Sequence, residues 1–79
     1  MFETDRVYIV GIEDNYSDYP LVVFPDEKST IAFLNNHTPA DYTANRADFT
    51  LHIYPFGDPN GYYDASPELE SAVYAANDR

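Results

Sequence analysis

The chain has 79 residues, 14 acidic against 4 basic, for a formal net charge of −10, and it contains no Cys. So acidic a chain lacks the clustered Lys and Arg that displace counterions from a phosphate backbone, and an anionic membrane surface repels it. Without Cys there is no disulfide framework, no thiolate zinc site and no Cys nucleophile. No apolar run is long enough for a transmembrane helix or a signal segment, which together with the missing Cys fits a cytoplasmic setting.

Residues 1–79 are expected to form one domain. Apolar residues make up 44% of the chain and aromatics 16%, with eight Tyr and five Phe. That is too apolar for an intrinsically disordered chain despite the charge. Each aromatic buries a large area for few residues, which suits a core this small.

Residues 1–5 read as a short, loosely held start. Residues 6–12 (RVYIVGI) are dense in β-branched and aromatic side chains and predict a strand. Its two faces, Val7, Ile9 and Gly11 against Tyr8, Val10 and Ile12, are both apolar, so it is expected at the centre of a sheet. Residues 13–19 (EDNYSDY) read as a polar loop holding three acids and two tyrosines. Residues 21–24 (LVVF) predict a short buried strand behind Pro20.

Asp26 is a candidate N-cap, because its carboxylate can accept from the unpaired N–H groups of a first helical turn. Glu27 adds favourable charge there. The helix is predicted over residues 27–36, with Ile31 and Leu34 on one face and Phe24 stapling its entry. Asn35, Asn36 and Pro39 end it, and residues 37–47 read as a loop turning near Asp41 and Tyr42.

Residues 49–54 (FTLHIY) alternate strictly, predicting a half-buried strand with Phe49, Leu51 and Ile53 inward. After Pro55, residues 57–61 form a turn in which Asn60-Gly61 is a short-range hairpin signal. Tyr62 and Tyr63 are then expected to return as an edge strand. Ser66-Pro67-Glu68 combines a hydroxyl cap, Pro at the first helical position and an acid. Leu69, Ala72, Val73 and Ala76 follow at helical spacing as one apolar stripe. The expected architecture is α+β, in the order ββαββα, with an antiparallel sheet of three or four strands and helices packed on it.

Little in the chain suggests chemistry. Residues 58–64 resemble a calcium loop in passing, but counting from Asp58 puts Gly61 fourth and Leu69 twelfth, where an EF-hand needs Gly sixth and Glu twelfth. His37 and His52 have no partner at ligand spacing, and His52 falls on the polar side of its strand. Neither a nucleophile elbow nor a phosphate-cradling Gly loop is present. No metal, cofactor or catalytic residue is therefore expected, and the chain reads as a non-enzyme.

What remains is the surface. Carboxylates spaced along a rigid face can stand in for phosphates and attract the Arg and Lys of a nucleic-acid-binding cleft. Tyrosines between them supply rigid, amphipathic contact area. The densest stretches give the candidate partner-binding residues: Glu13, Asp14, Tyr16, Asp18 and Tyr19, then Asp58, Tyr62, Tyr63 and Asp64.

Five segments also resemble the small nonstructural protein of gokushovirus-type microviruses, which are small single-stranded DNA phages. They are residues 7–10 (VYIV), 19–23 (YPLVV), 29–34 (STIAFL), 45–51 (NRADFTL) and 56–61 (FGDPNG), set within residues 7–64. In that family an opening strand precedes a Pro-led apolar stretch, a helix of the kind A-x-R-A-F, an x-P-x-D-Y-x-L strand and an acidic Gly turn. This chain lacks the helical Arg and has a shorter following loop, and its acidic segment 66–78 departs from the pattern. The resemblance implies a phage origin, a role in DNA replication or its control, and a place in the host cytoplasm. It brings no catalytic residues.

The leading expectation is a phage-type accessory protein that binds a basic protein surface on a nucleic-acid-handling complex and blocks or regulates it. A host-defence inhibitor such as an anti-CRISPR is one such protein. Two other expectations stand beside it: a replication accessory protein stacking single-stranded DNA on exposed tyrosines, and a small domain that homodimerises through its sheet edge. Direct nucleic-acid binding is not expected at this charge, and neither is membrane binding.

Overall fold

A computed structural model of the chain describes residues 6–58 and 60–79. The elements are β1 (Arg6–Asp14), β2 (Asp18–Phe24), α1 (Glu27–Asn36), a 3-10 turn (Pro39–Asp41), β3 (Ala47–Pro55) and α2 (Pro67–Asp78). The strands form one antiparallel sheet in the order β2-β1-β3. The fold is α+β, as the sequence predicts, with β1 central. The start read over residues 1–5 and Pro59 of the turn lie outside the described residues.

The alternation within β1 organises everything else. Tyr8, Val10 and Ile12 are buried, and β3 sets Ile53, Leu51 and Phe49 opposite them. Both helices cover this face. Leu34 and the buried Thr30 come from α1, and Leu69, Ala72 and Ala76 come from α2. Val73 packs half-buried against the same core. The Thr30 hydroxyl donates to the Asp26 carbonyl at 2.8 Å, which is how a polar side chain sits in the core without an orphaned group.

Both helix starts form as read. The Asp26 carboxylate accepts from Ser29 N–H at 2.7 Å, and Ser66 Oγ accepts from Leu69 N–H at 3.2 Å. The Ser66 hydroxyl also donates to the Glu27 carboxylate, which ties the two helix N-termini together. At the other ends, Arg79 donates to the carbonyls of Leu34 and His37 and so caps α1. The helices therefore lie side by side, pointing the same way. Beneath the end of α1, Phe33 stacks on His37 at 4.4 Å and also touches Phe24, Tyr42 and Phe49. Phe24 thus packs against Phe33 in the second half of α1, not at the helix entry where a staple was expected.

Two further expectations are corrected. First, residues 13–19 are not one loop, because β1 runs to Asp14 and β2 begins at Asp18. The turn is held by Asp14, whose N–H donates to the Ser17 carbonyl at 2.9 Å while its carboxylate accepts from Tyr16 and Ser17 N–H. Pro20 is tolerated inside β2 because this is an edge strand with a bulge, where Val10 faces Val22, Gly11 faces Pro20 and Leu21 is the extra residue. Second, Tyr62 and Tyr63 form no fourth strand. Asn60 and Gly61 do not take up the positive φ that a two-residue hairpin needs, and among the described residues only Gly57 does, at 76°. The order is therefore ββαβα. The outer edge of β3 is instead closed by other means. The Asn77 side chain accepts from Phe49 N–H at 2.7 Å and donates to the Phe49 carbonyl at 3.3 Å, while Tyr63 N–H donates to the Ile53 carbonyl at 2.9 Å.

Gly11 is required where it stands. A Cβ there would sit 2.7 Å from Thr50 Oγ1 and 2.9 Å from the Tyr19 carbonyl oxygen, which is backbone and cannot swing away. Gly11→Ala is expected to lower unfolding stability by about 1–3 kcal/mol through overpacking. Asn77→Ala should cost a similar ~1–3 kcal/mol by orphaning Phe49 N–H. Denaturant titration of both variants checks these values, and changes within ~0.5 kcal/mol of zero would show that the bulge and the β3 edge are less constrained than the geometry implies.

Candidate functional site

Antiparallel pairing places the two candidate clusters at opposite ends of β1. Asp14 pairs with Ala47 at one end and Arg6 with Pro55 at the other. Eight steps of about 3.3 Å along β1 separate them by roughly 26 Å. They do not form one continuous acidic face.

At the first end, Glu13 stands directly between Asp18 on β2 and Asp48 on β3. The pairing sets three carboxylates in a row across the sheet, on neighbouring strands about 4.8 Å apart. All three are exposed, and none makes an ion pair with a described cation. Arg46 lines a shallow hollow with Glu13, Asp14 and Asp48 but bonds to none of them. Such a row of like charges opposes pairing of the strands that carry it. Asp48 is the member that sequence reasoning missed, because it lies 35 residues from Glu13 and only the β1–β3 register brings the two together.

The rest of this end divides by role. Tyr16 is 86% exposed at the tip of the turn, and Tyr19 is exposed on β2. Asp14 belongs to the architecture of the turn. Its carboxylate accepts from Tyr16 N–H at 2.7 Å, Asn45 Nδ2 at 3.2 Å, and Ser17 N–H at 2.8 Å. These bonds hold its pKa below the usual 3.8, led by the Tyr16 N–H.

At the second end the tyrosines part company. Tyr62 is 74% exposed, whereas Tyr63 is half-buried, bonded through its N–H to Ile53 and covered by the Arg6 guanidinium 3.9 Å from its ring centre. Tyr63 is thus a packing residue, held by a cation–π contact. The Asp58 carboxylate accepts from Asn60 N–H at 3.0 Å and shapes its own turn, while Asp64 is exposed. Tyr62, Tyr63 and Asp64 line an open groove of about 450 Å³ alongside His52 and Tyr54. Among the described residues, no group of three or more His, Asp or Glu side chains could hold a metal ion, and no helix is long and apolar enough to cross a membrane.

The sheet face away from the helices carries Val7 and Tyr54, then Val23, Ile9 and His52, then Pro20, Gly11 and Thr50. It ends in the row Asp18, Glu13 and Asp48. No described element covers it. Val23 is 56% exposed, and the His52 and Tyr54 rings lie parallel, 6.0 Å apart. Comparison with protein-family models, with curated proteins and with solved structures found no match.

Because the folded Asp14 pKa is depressed, its contribution to the turn is present above the unfolded value and is lost as pH falls through the folded value. The amide signals of Tyr16 and Ser17 should therefore titrate below pH 3.8 and become pH-independent in Asp14→Asn. A midpoint at or above 3.8 would show that the turn does not rely on the charged carboxylate.

Proposed function

We propose that this chain is a non-catalytic acidic accessory protein that binds a basic surface on a nucleic-acid-handling protein and blocks or regulates it. The observation that carries this reading is the row Asp18, Glu13 and Asp48, exposed and unpaired, beside the protruding Tyr16. Carboxylates at strand spacing on a rigid sheet present fixed acceptors to Arg and Lys, and charge-assisted bonds to such groups are the stronger kind. A fully exposed tyrosine next to them offers an anchor that a purely solubilising surface does not need.

The chain's own cations reinforce the point. Arg79 is engaged on α1 carbonyls and Arg6 on the Tyr63 ring, while Arg46 lies beside the row without bonding to its carboxylates. The fold retains a like-charge contact that neutral side chains would relieve, which is the pattern expected where a partner supplies the counter-charge. The resemblance of residues 7–64 to the microvirus nonstructural protein adds a phage origin, and with it a target in host or phage nucleic-acid metabolism such as a defence complex. The sheet edge is a weaker basis for a homodimer, because Pro20 and the bulge interrupt the outer edge of β2.

The test uses tagged protein to capture partners from host lysate, followed by association kinetics with the captured protein at two salt concentrations. Neutralising the row with Glu13→Gln, Asp18→Asn and Asp48→Asn should slow association about tenfold or more, with an effect that shrinks as salt rises. Tyr16→Ala should act mainly on dissociation. The neutralised variant should unfold no more easily than the parent, because it loses only repulsion. Salt-independent affinity unmoved by the triple change contradicts the proposal, and so does tight binding to single-stranded DNA with no protein partner.

A further inference from the structure

We infer that the open sheet face is a docking surface for an amphipathic helix of a basic partner protein. The helix would lie along β1, with its apolar stripe on Val7, Ile9, Val23 and Tyr54 and its Lys or Arg side chains over Asp18, Glu13 and Asp48. This rests on the proposed basic partner and identifies which part of that partner is bound.

Three observations argue for it. The first is chemical order along the face. Three cross-strand rows carry aliphatic, aromatic or small side chains, and the fourth is wholly acidic. A ligand matched to charge alone would leave the apolar rows unused, and one matched to apolar area alone would strand the carboxylates.

The second is size. Three strands at about 4.8 Å give a face roughly 14 Å wide and about 26 Å long, near 360 Å². A second copy of this chain would bring the same acidic row and no counter-charge for it. Its charge of −10 would add to the opposition. A helix about 10–12 Å across fits that width, and roughly 17 residues at 1.5 Å each fit the length.

The third is symmetry of layers. The opposite face of the same sheet already receives helices along Tyr8, Val10 and Ile12. Its geometry therefore suits a helix on either side. At the middle of the open face Thr50 Oγ1 is buried over Gly11 without a hydrogen-bond partner. The centre of the surface is thus occupied without projecting a polar group toward a ligand.

The probe is an 18-residue amphipathic Leu/Lys helical peptide, compared with a scrambled peptide of the same composition. Binding is read by amide shifts and affinity. The amphipathic peptide should shift Ile9, Gly11, Val23, Thr50 and His52 together with Glu13. It should bind at least tenfold more tightly than the scrambled one. Val23→Ser should weaken it at least tenfold, and Tyr54→Ser on the same exposed face provides a second, charge-neutral variant if the first does not fold. Equal binding of both peptides, unaffected by these changes, would overturn the docking site while leaving a charge-driven partner intact. Failure of both peptides to bind at low salt would remove the basic-partner reading itself. Self-association that shifts the same amides without peptide would assign the face to a second copy and overturn the inference.

Discussion

Alternation along β1 is the constraint on which the rest of the molecule depends. Because successive side chains point to opposite faces, Tyr8, Val10 and Ile12 must go one way and Val7, Ile9, Gly11 and Glu13 the other. The first set is sealed by two parallel helices, tied together at their starts by Ser66 and Glu27 and at their ends by Arg79. A slip of one residue would send the buried set to the uncovered side, so the core fixes the register on both sides of β1. That same register sets Glu13 between Asp18 and Asp48. The acidic row is a geometric consequence of the hydrophobic core.

Much of the acid in this chain has local work. Asp26 caps α1, Asp14 builds the first turn and Asp58 the second, each by accepting backbone N–H groups. Glu27 joins the helices. The row across the sheet has no such role and opposes the pairing that creates it. The neighbouring aliphatic rows and exposed Tyr16 give the surface around it a mixed apolar and anionic character, on which the proposed partner binding rests.

The elements with strong local signals were legible in the sequence. Asp26 and Ser66 announce helices through chemistry that works within four residues, and residues 49–54 announce a strand through strict alternation. The misread segments were those decided at a distance. Residues 13–19 look like a loop because acids and Pro disfavour strands, yet pairing with β1 extends both strands into them. The Asn60-Gly61 signal yields a single bond, Tyr63 N–H to the Ile53 carbonyl, and no strand, because neither residue takes up positive φ and the edge at Phe49 is filled by the Asn77 side chain, 28 residues away. Of the candidate site residues, Glu13, Tyr16 and Asp18 lie exposed together at one end of the sheet. Asp14 and Tyr63 turned out to be structural, and Asp48 was invisible without the register.

The proposed function requires negative potential to concentrate at the Asp18, Glu13 and Asp48 end of the open sheet face. The direct measurement is proton relaxation enhancement by a cationic nitroxide cosolute, compared residue by residue with a neutral one of the same size. The account predicts that the ratio peaks at Glu13, Asp18 and Asp48, declines along the open face through Gly11 and Ile9, and flattens as salt is added. A ratio that is uniform over the surface, or that peaks instead around Asp58 and Asp64, would contradict it.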